Sequence, residues 1–208
     1  TQEGLNGLEA ELAKVHEGLY EAQKEEHRCV IHCEKMNEGF QTSSKVQFVA
    51  QAGNFMDAGK EYHGALQILK VIMSYEYLWN NIRVKGGAYG CMSNFNRIGE
   101  GYFVSYRDPN LKKTLDVYAG VPEYLKNFTV SERDMTKYII GTISNIDQPM
   151  TPAAKGDRSM NLYMNHLTEE MIREERMQIL GATQEDIRNL AAIAEAVLEC
   201  NQICVIGN

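Results

Sequence analysis

Arg83 and Tyr89 are the side chains of this sequence whose types and spacing best fit ligand chemistry, and they lie in one run, Arg83-Val-Lys-Gly-Gly-Ala-Tyr-Gly90. A guanidinium offers a planar fork of donors, and a phenol can both donate and accept. Gly86, Gly87 and Gly90 carry no Cβ to hold another backbone away. Together these groups can grip a carbonyl-rich ligand such as a peptide. They do not by themselves make a catalytic centre. A purely structural role also fits them, because an Arg in a last helical turn complements the helix dipole and a Tyr is at home in a strand.

Other chemistry finds less support. A catalytic zinc needs three protein ligands and an open position. The histidines, His16, His27, His32, His63 and His166, include no pair at the one-turn spacing of a helical zinc site, and His-x-x-Glu-His and its reverse are both absent. The cluster His27-Arg-Cys29-Val-Ile-His32-Cys33 gathers four metal-binding side chains. Its spacing matches no common structural zinc site, so it is read as part of a connector, with a small metal-binding domain kept as a third reading. No Gly-x-Ser-x-Gly elbow occurs, and Cys91 is read as a small strand residue. A phosphate cradle needs a strand before its glycines and a helix after them; here the order is reversed.

The elements that must position Arg83 and Tyr89 follow from periodicity. Tyr62, Leu66, Leu69, Met73 and Trp79 predict one helix from about Glu61 to Ile82, stopped by Gly86 and Gly87. The segments 88–96 and 101–107 predict a hairpin around Arg97-Ile-Gly-Glu-Gly101, with Tyr102, Val104 and Tyr106 on one face. Upstream, Leu5, Leu8, Leu12, Val15 and Leu19 mark an amphipathic helix, 21–36 reads as a charged connector, and Val46, Phe48 and Ala50 mark a strand closed by Gly53-Asn54.

Downstream, Asp108-Pro109 opens a helix with Leu111, Leu115, Tyr118 and Leu125 inward. Ser131 and Asp134 cap a helix to about Ile146, and 148–156 reads as a surface loop. Helices over about Arg158 to Glu175 and Gln184 to Glu199 precede a closing strand at Ile203 and Val205. The class is α+β, with helices laid on a mainly antiparallel sheet.

A length of 208 residues suits one large domain or two small ones, and 44% hydrophobic with 24% charged residues is ordinary for a globular chain. The net charge of −7 argues against nucleic acid as a partner. No run approaches the roughly 20 apolar residues of a membrane span. Five cysteines without framework spacing read as reduced thiols. The first residue and the last strand both look cut, so the chain is expected to be part of something larger.

The segments Asn37-Glu-Gly-Phe40, Val46-Gln-Phe-Val-Ala-Gln-Ala-Gly-Asn-Phe55, Tyr77-Leu-Trp-Asn-Asn-Ile-Arg-Val-Lys-Gly-Gly-Ala-Tyr-Gly90 and Val104-Ser-Tyr-Arg-Asp-Pro-Asn110, with Pro149-Met-Thr-Pro-Ala-Ala-Lys-Gly156, resemble one family. It is the presequence-protease branch of the pitrilysin/insulinase zinc metallopeptidases, and the likeness is to the last domain, over roughly Asn37 to the C-terminus.

The resemblance implies the processing-peptidase-like fold in its non-catalytic half, over 1–208 as one C-terminal domain of a much longer chain. It implies that zinc and the general base belong to an N-terminal half, that this half holds no metal, and that the two close around an unstructured peptide. Tyr89 is then expected to hydrogen-bond a substrate carbonyl, Arg83 to contact a nearby carbonyl oxygen, and Gly86, Gly87, Ala88 and Gly90 to line the peptide. A chain of this kind alone is expected not to hydrolyse peptides.

The alternative is a catalytically inactive structural subunit of the same fold. The family domain has an opening strand that this chain is expected to lack, so an unpaired sheet edge is expected to favour pairing with a second copy. The acidic balance points weakly to basic peptides. Reduced thiols fit a bacterial cytoplasm or an organellar matrix.

Overall fold

The computed structural model describes residues 5–19, 34 and 37–207. The chain divides into two compact units, Thr1–Glu34 and Lys35–Asn208. In the first, α1 (Leu8–Glu17) forms as its spacing predicts, with Leu8, Leu12 and Val15 exposed and no buried residue. The His27 to Cys33 cluster lies outside the described residues.

Among the described residues, the second unit is a five-stranded sheet packed on one face by helices. Its strands are β1 (Glu38–Gln41), β2 (Gln47–Asn54), β3 (Gly90–Phe95), β4 (Glu100–Asp108) and β5 (Gln202–Gly207). They are ordered β1-β5-β2-β4-β3, so β1 and β3 are the edges. All pairings are antiparallel except β1 with β5. The α+β class with a mainly antiparallel sheet is borne out. Strand β1 was not legible: its four residues are all exposed and carry no alternation.

The long helix departs from its predicted winding. It runs as α2 (Ala65–Ile72) and then as π-helix over Met73–Tyr77 and Trp79–Val84. One row of its buried positions therefore runs Leu69, Met73, Leu78 and Ile82, with one five-residue step among the fours. A π turn adds a residue to the repeat. That step carries Trp79, predicted to face inward, out to 38% exposure and buries Leu78 in its place.

Beyond the hairpin the structure cuts the predicted helices shorter. Gly120 separates α3 (Lys112–Ala119) from α4 (Val121–Lys126), with Tyr118 and Leu125 buried as expected but Leu111 exposed. Ser131 accepts from the Asp134 amide and starts α5 (Glu132–Ile146). The 148–156 segment is only half loop: Thr151 accepts from the Ala154 amide, and Pro152, which lacks the N–H that a first turn leaves unpaired, begins α6 (Pro152–Met164). His166, at φ 55, interrupts the helix predicted to reach Glu175, and Thr168 caps a new one, α7 (Glu169–Leu180). The Thr183–Asp186 capping box opens α8 (Gln184–Asn189), and α9 (Ala191–Glu199) leads into β5.

The core lies between the sheet and α2, α4, α8 and α9, where Phe103 meets Phe95 edge-on at 5.7 Å and stacks on Tyr118 at 5.5 Å. Tyr118 keeps its hydroxyl paired by donating to the Val49 carbonyl at 3.1 Å. The alternate residues of the strands form the opposite face, where Phe40, Phe48, Met92, Tyr102 and Ile206 are exposed.

Candidate functional site

The junction between the π-helical segment and β3 brings the predicted pair together. Arg83 sits in the last helical turn, and its guanidinium donates to the Tyr89 carbonyl oxygen. It also lies 4.4 Å over the Trp79 ring and 5.5 Å from the centre of the Tyr89 ring. Such cation–π contacts hold a guanidinium without neutralising it. Tyr89 is 56% exposed, so its phenol is open to a ligand.

The turn between them is a widened helix stop. Gly87 adopts φ +79, and its amide donates to the Arg83 carbonyl at 3.0 Å, while the Ala88 amide donates to Ile82 at 3.1 Å. Each bond reaches one residue further than in a Schellman cap, continuing the π winding. Gly86 is required by its own helix, since a Cβ there would stand 2.4 Å from the Ile82 carbonyl oxygen. The space beside Gly90 is filled by Tyr106, whose ring a Cβ would meet at 2.5 Å. That ring packs 5.6 Å from the Tyr89 ring. Ala88 is buried at 4% exposure. Of the small residues expected to line a peptide, Gly87 is the exposed one; Gly86 is partly covered and Gly90 buried.

The wall opposite Tyr89 is the end of β4, where the register with β2 slips. Gln47 pairs with Asp108 but Val49 with Ser105, so β4 holds one residue more than its partner there. The extra residue is a β-bulge, and Arg107 within it adopts φ 49. Alternation along β4 buries Gly101, Phe103 and Ser105; the bulge then turns Arg107 outward and Asp108 inward. Asp108 is fully buried, accepting from the Thr114 hydroxyl at 2.7 Å and the Asn110 amide at 2.8 Å. The Asn110 side chain donates to the Gly86 carbonyl at 2.6 Å, which pins this corner to the glycine turn.

Arg107 accepts the Tyr89 amide on its carbonyl at 3.3 Å, and its guanidinium lies 5.5 Å from the Tyr89 ring centre. Tyr89 thus has a guanidinium from each neighbouring element. Among the described residues, no carboxylate forms an ion pair with either Arg83 or Arg107.

One nearby group sharpens the chemistry. Burial pushes the Cys91 thiol up to about 11, against the pull of the Arg83 charge and with a further push from Asp108. It is a neutral thiol at neutral pH, as its reading as a strand residue requires, and not a thiolate nucleophile. Among the described residues, no cluster of three or more His, Cys, Asp or Glu side chains is placed to hold a metal ion. Sequence reasoning missed Trp79, Tyr106 and Arg107 as parts of this site. The four-residue spacing of Trp79 from Arg83 was an available signal for the first; the bulge that exposes Arg107 carries none.

A family model described as the PreP C-terminal domain matches residues 37–207. Protein HypA of Clostridium perfringens is 46% identical over 186 residues, which is 89% of this chain and 19% of that protein. Presequence protease 1, chloroplastic/mitochondrial, of Arabidopsis thaliana is 36% identical over 162 residues, 77% of this chain and 15% of that protein. The chain therefore spans less than a fifth of the length of these relatives. An inactive peptidase domain from Pseudomonas fluorescens shares the fold, with a TM-score of 0.58 at 18% identity over 82% of this chain and 42% of its own.

Proposed function

The chain belongs to the PreP C-terminal domain family, and we propose that it is the metal-free, substrate-positioning C-terminal domain of a zinc metalloendopeptidase that degrades unstructured peptides. In this reading it is one C-terminal domain of a longer protein, and zinc with its general base resides in an N-terminal half. In this reading the work of this chain is orientation. Tyr89 donates to a substrate carbonyl oxygen near the scissile bond, and Arg83 contacts a neighbouring carbonyl. Donors held in place before the reaction stabilise a developing oxyanion without reorganising, and closure of two halves lowers the local dielectric around them.

The observation that carries the reading is the convergence, on one helix-to-strand junction, of an exposed phenol and a guanidinium that pairs with no carboxylate among the described residues. The three hydrogen bonds that pin this junction, from Gly87, Ala88 and Asn110, support it. The compartment we propose is a bacterial cytoplasm or an organellar matrix, in keeping with relatives named for mitochondria and chloroplasts and another from Clostridium. A second copy pairing along the exposed β1 edge is a further proposed partner, to be checked by sedimentation at several concentrations.

Reconstitution tests the function. The chain is mixed with a separately expressed, zinc-loaded N-terminal half, and cleavage of a fluorogenic unstructured peptide is followed with each piece alone as control. Activity confined to the mixture supports the reading. A demonstrably formed but inactive complex contradicts it and favours the structural-subunit alternative.

A further inference from the structure

We propose that Arg107 is a specificity residue that binds a carboxylate of the bound peptide, beside the Tyr89 and Arg83 contacts; the inference rests on the peptide-binding reading above. Three observations carry it. First, the β-bulge at Tyr106–Arg107 exists at a cost: Arg107 holds φ 49 without being glycine. Left-handed backbone at such a residue persists only where its surroundings enforce it. Here they do, through Asp108, which is locked inward by Thr114 and Asn110. The effect of the bulge is to move Arg107 from the core face to the exposed side, next to Tyr89.

Second, the two guanidiniums are unequally committed. Arg83 is occupied by the Tyr89 carbonyl and the Trp79 ring. Arg107 makes no side-chain hydrogen bond or ion pair among the described residues, its one noted contact being the face of the Tyr89 ring. Among the described residues its fork of donors is uncommitted, and a carboxylate is the group that matches such a fork in two parallel bonds.

Third, the local sign opposes the global one. The chain carries a net charge of −7, yet Tyr89 is flanked by two cations that form no ion pair among the described residues. The net charge points to basic peptides; the site itself selects an acidic group. The carboxylate belongs either to an Asp or Glu side chain of the peptide or to its C-terminus.

The test is a fluorescence-anisotropy titration of the 208-residue chain with labelled unstructured peptides differing only in one internal Glu or Gln, each with a free or amidated C-terminus. Binding of the Glu peptide on the order of tenfold tighter than the Gln peptide is expected, given the strength of a charge-assisted bidentate pair. That preference is expected to vanish in Arg107→Gln and to survive in part in Arg107→Lys. Arg107→Gly, which relieves the left-handed strain, must fold at least as well and lose the preference too. Sensitivity to amidation in place of the Glu/Gln difference assigns the carboxylate to the peptide terminus. Equal binding of all four peptides, with Tyr89→Phe weakening each, overturns the role of Arg107 and leaves the peptide-binding reading standing. Binding of none overturns both.

Discussion

Cys91 reports on Arg83 without touching a ligand. Its thiol is pushed up to about 11 by burial, and the Arg83 charge is the one influence pulling it down. Only the thiolate reacts with an alkylating agent. Iodoacetamide labelling of the Cys91 peptide, followed by mass spectrometry, is therefore expected to be slow at neutral pH and to accelerate toward pH 11. Arg83→Gln removes the opposing charge, so labelling at any pH in that window is expected to slow. A faster or unchanged rate in a variant with the same melting temperature would mean that Arg83 does not reach this thiol. At the same scale, Tyr89 and Arg83 were legible in the sequence, because residue type and spacing carry hydrogen-bonding capacity directly. Arg107 was not, since its exposure depends on a bulge set by the pairing of two strands distant in sequence.

The elements hold Tyr89 through Tyr106. Gly90 is buried, and a methyl group there would stand 2.5 Å from the Tyr106 ring, which itself packs against Tyr89. Gly90→Ala is expected to displace Tyr106, to cost roughly 1–3 kcal/mol as overpacking does, and to lower Tyr89-dependent activity beyond any loss of folded protein. Chemical denaturation and activity per folded molecule check the two parts separately. Gly87→Ala acts on the backbone instead: at φ +79 an Ala costs about 1–2 kcal/mol, visible as a lower denaturation midpoint. Unchanged stability in both variants would mean that the turn relaxes freely and does not fix the pair.

Legibility differed between elements for physical reasons. The hairpin, the Ser131 start and the Thr183 start were predicted because turn and cap chemistry is local. The π winding of the long helix was not, because a 3.6-residue reading cannot anticipate a five-residue step between Met73 and Leu78. The 148–156 loop is overextended in the sequence reading because its Pro and Gly content is that of a turn, whereas Pro152 after Thr151 starts a helix.

On the scale of the molecule, tyrosines tie the helices to the sheet and to each other, and they set an alkaline limit. Burial raises the phenol of Tyr62 against α7 and that of Tyr118 under the sheet, and pushes Tyr124 up to about 12; the Glu76 carboxylate adds to the effect at Tyr124. In the unfolded chain these phenols ionise near 10. A raised folded-state value means that the stabilisation is fully present below that pH and is lost as pH rises through the folded values. Urea unfolding at pH values on both sides of 10 is expected to give a flat stability below it and a decline above. Phenolate absorbance from Tyr118 appearing near 10 with no loss of stability would show that these rings are not held in a dry core.

In the proposed reading, zinc chemistry in one half and oxyanion contacts in another make a divided enzyme, and Tyr89 is where that division is most exposed to test. The direct measurement is kcat/KM of the reconstituted pair with Tyr89→Phe, alongside the melting temperature of the variant. Removing one positioned donor is expected to lower kcat/KM by roughly 10²–10³-fold, carried by kcat, with the melting temperature unchanged. Full activity in Tyr89→Phe would contradict the account at its centre, leaving this chain a scaffold for a site that needs nothing from it.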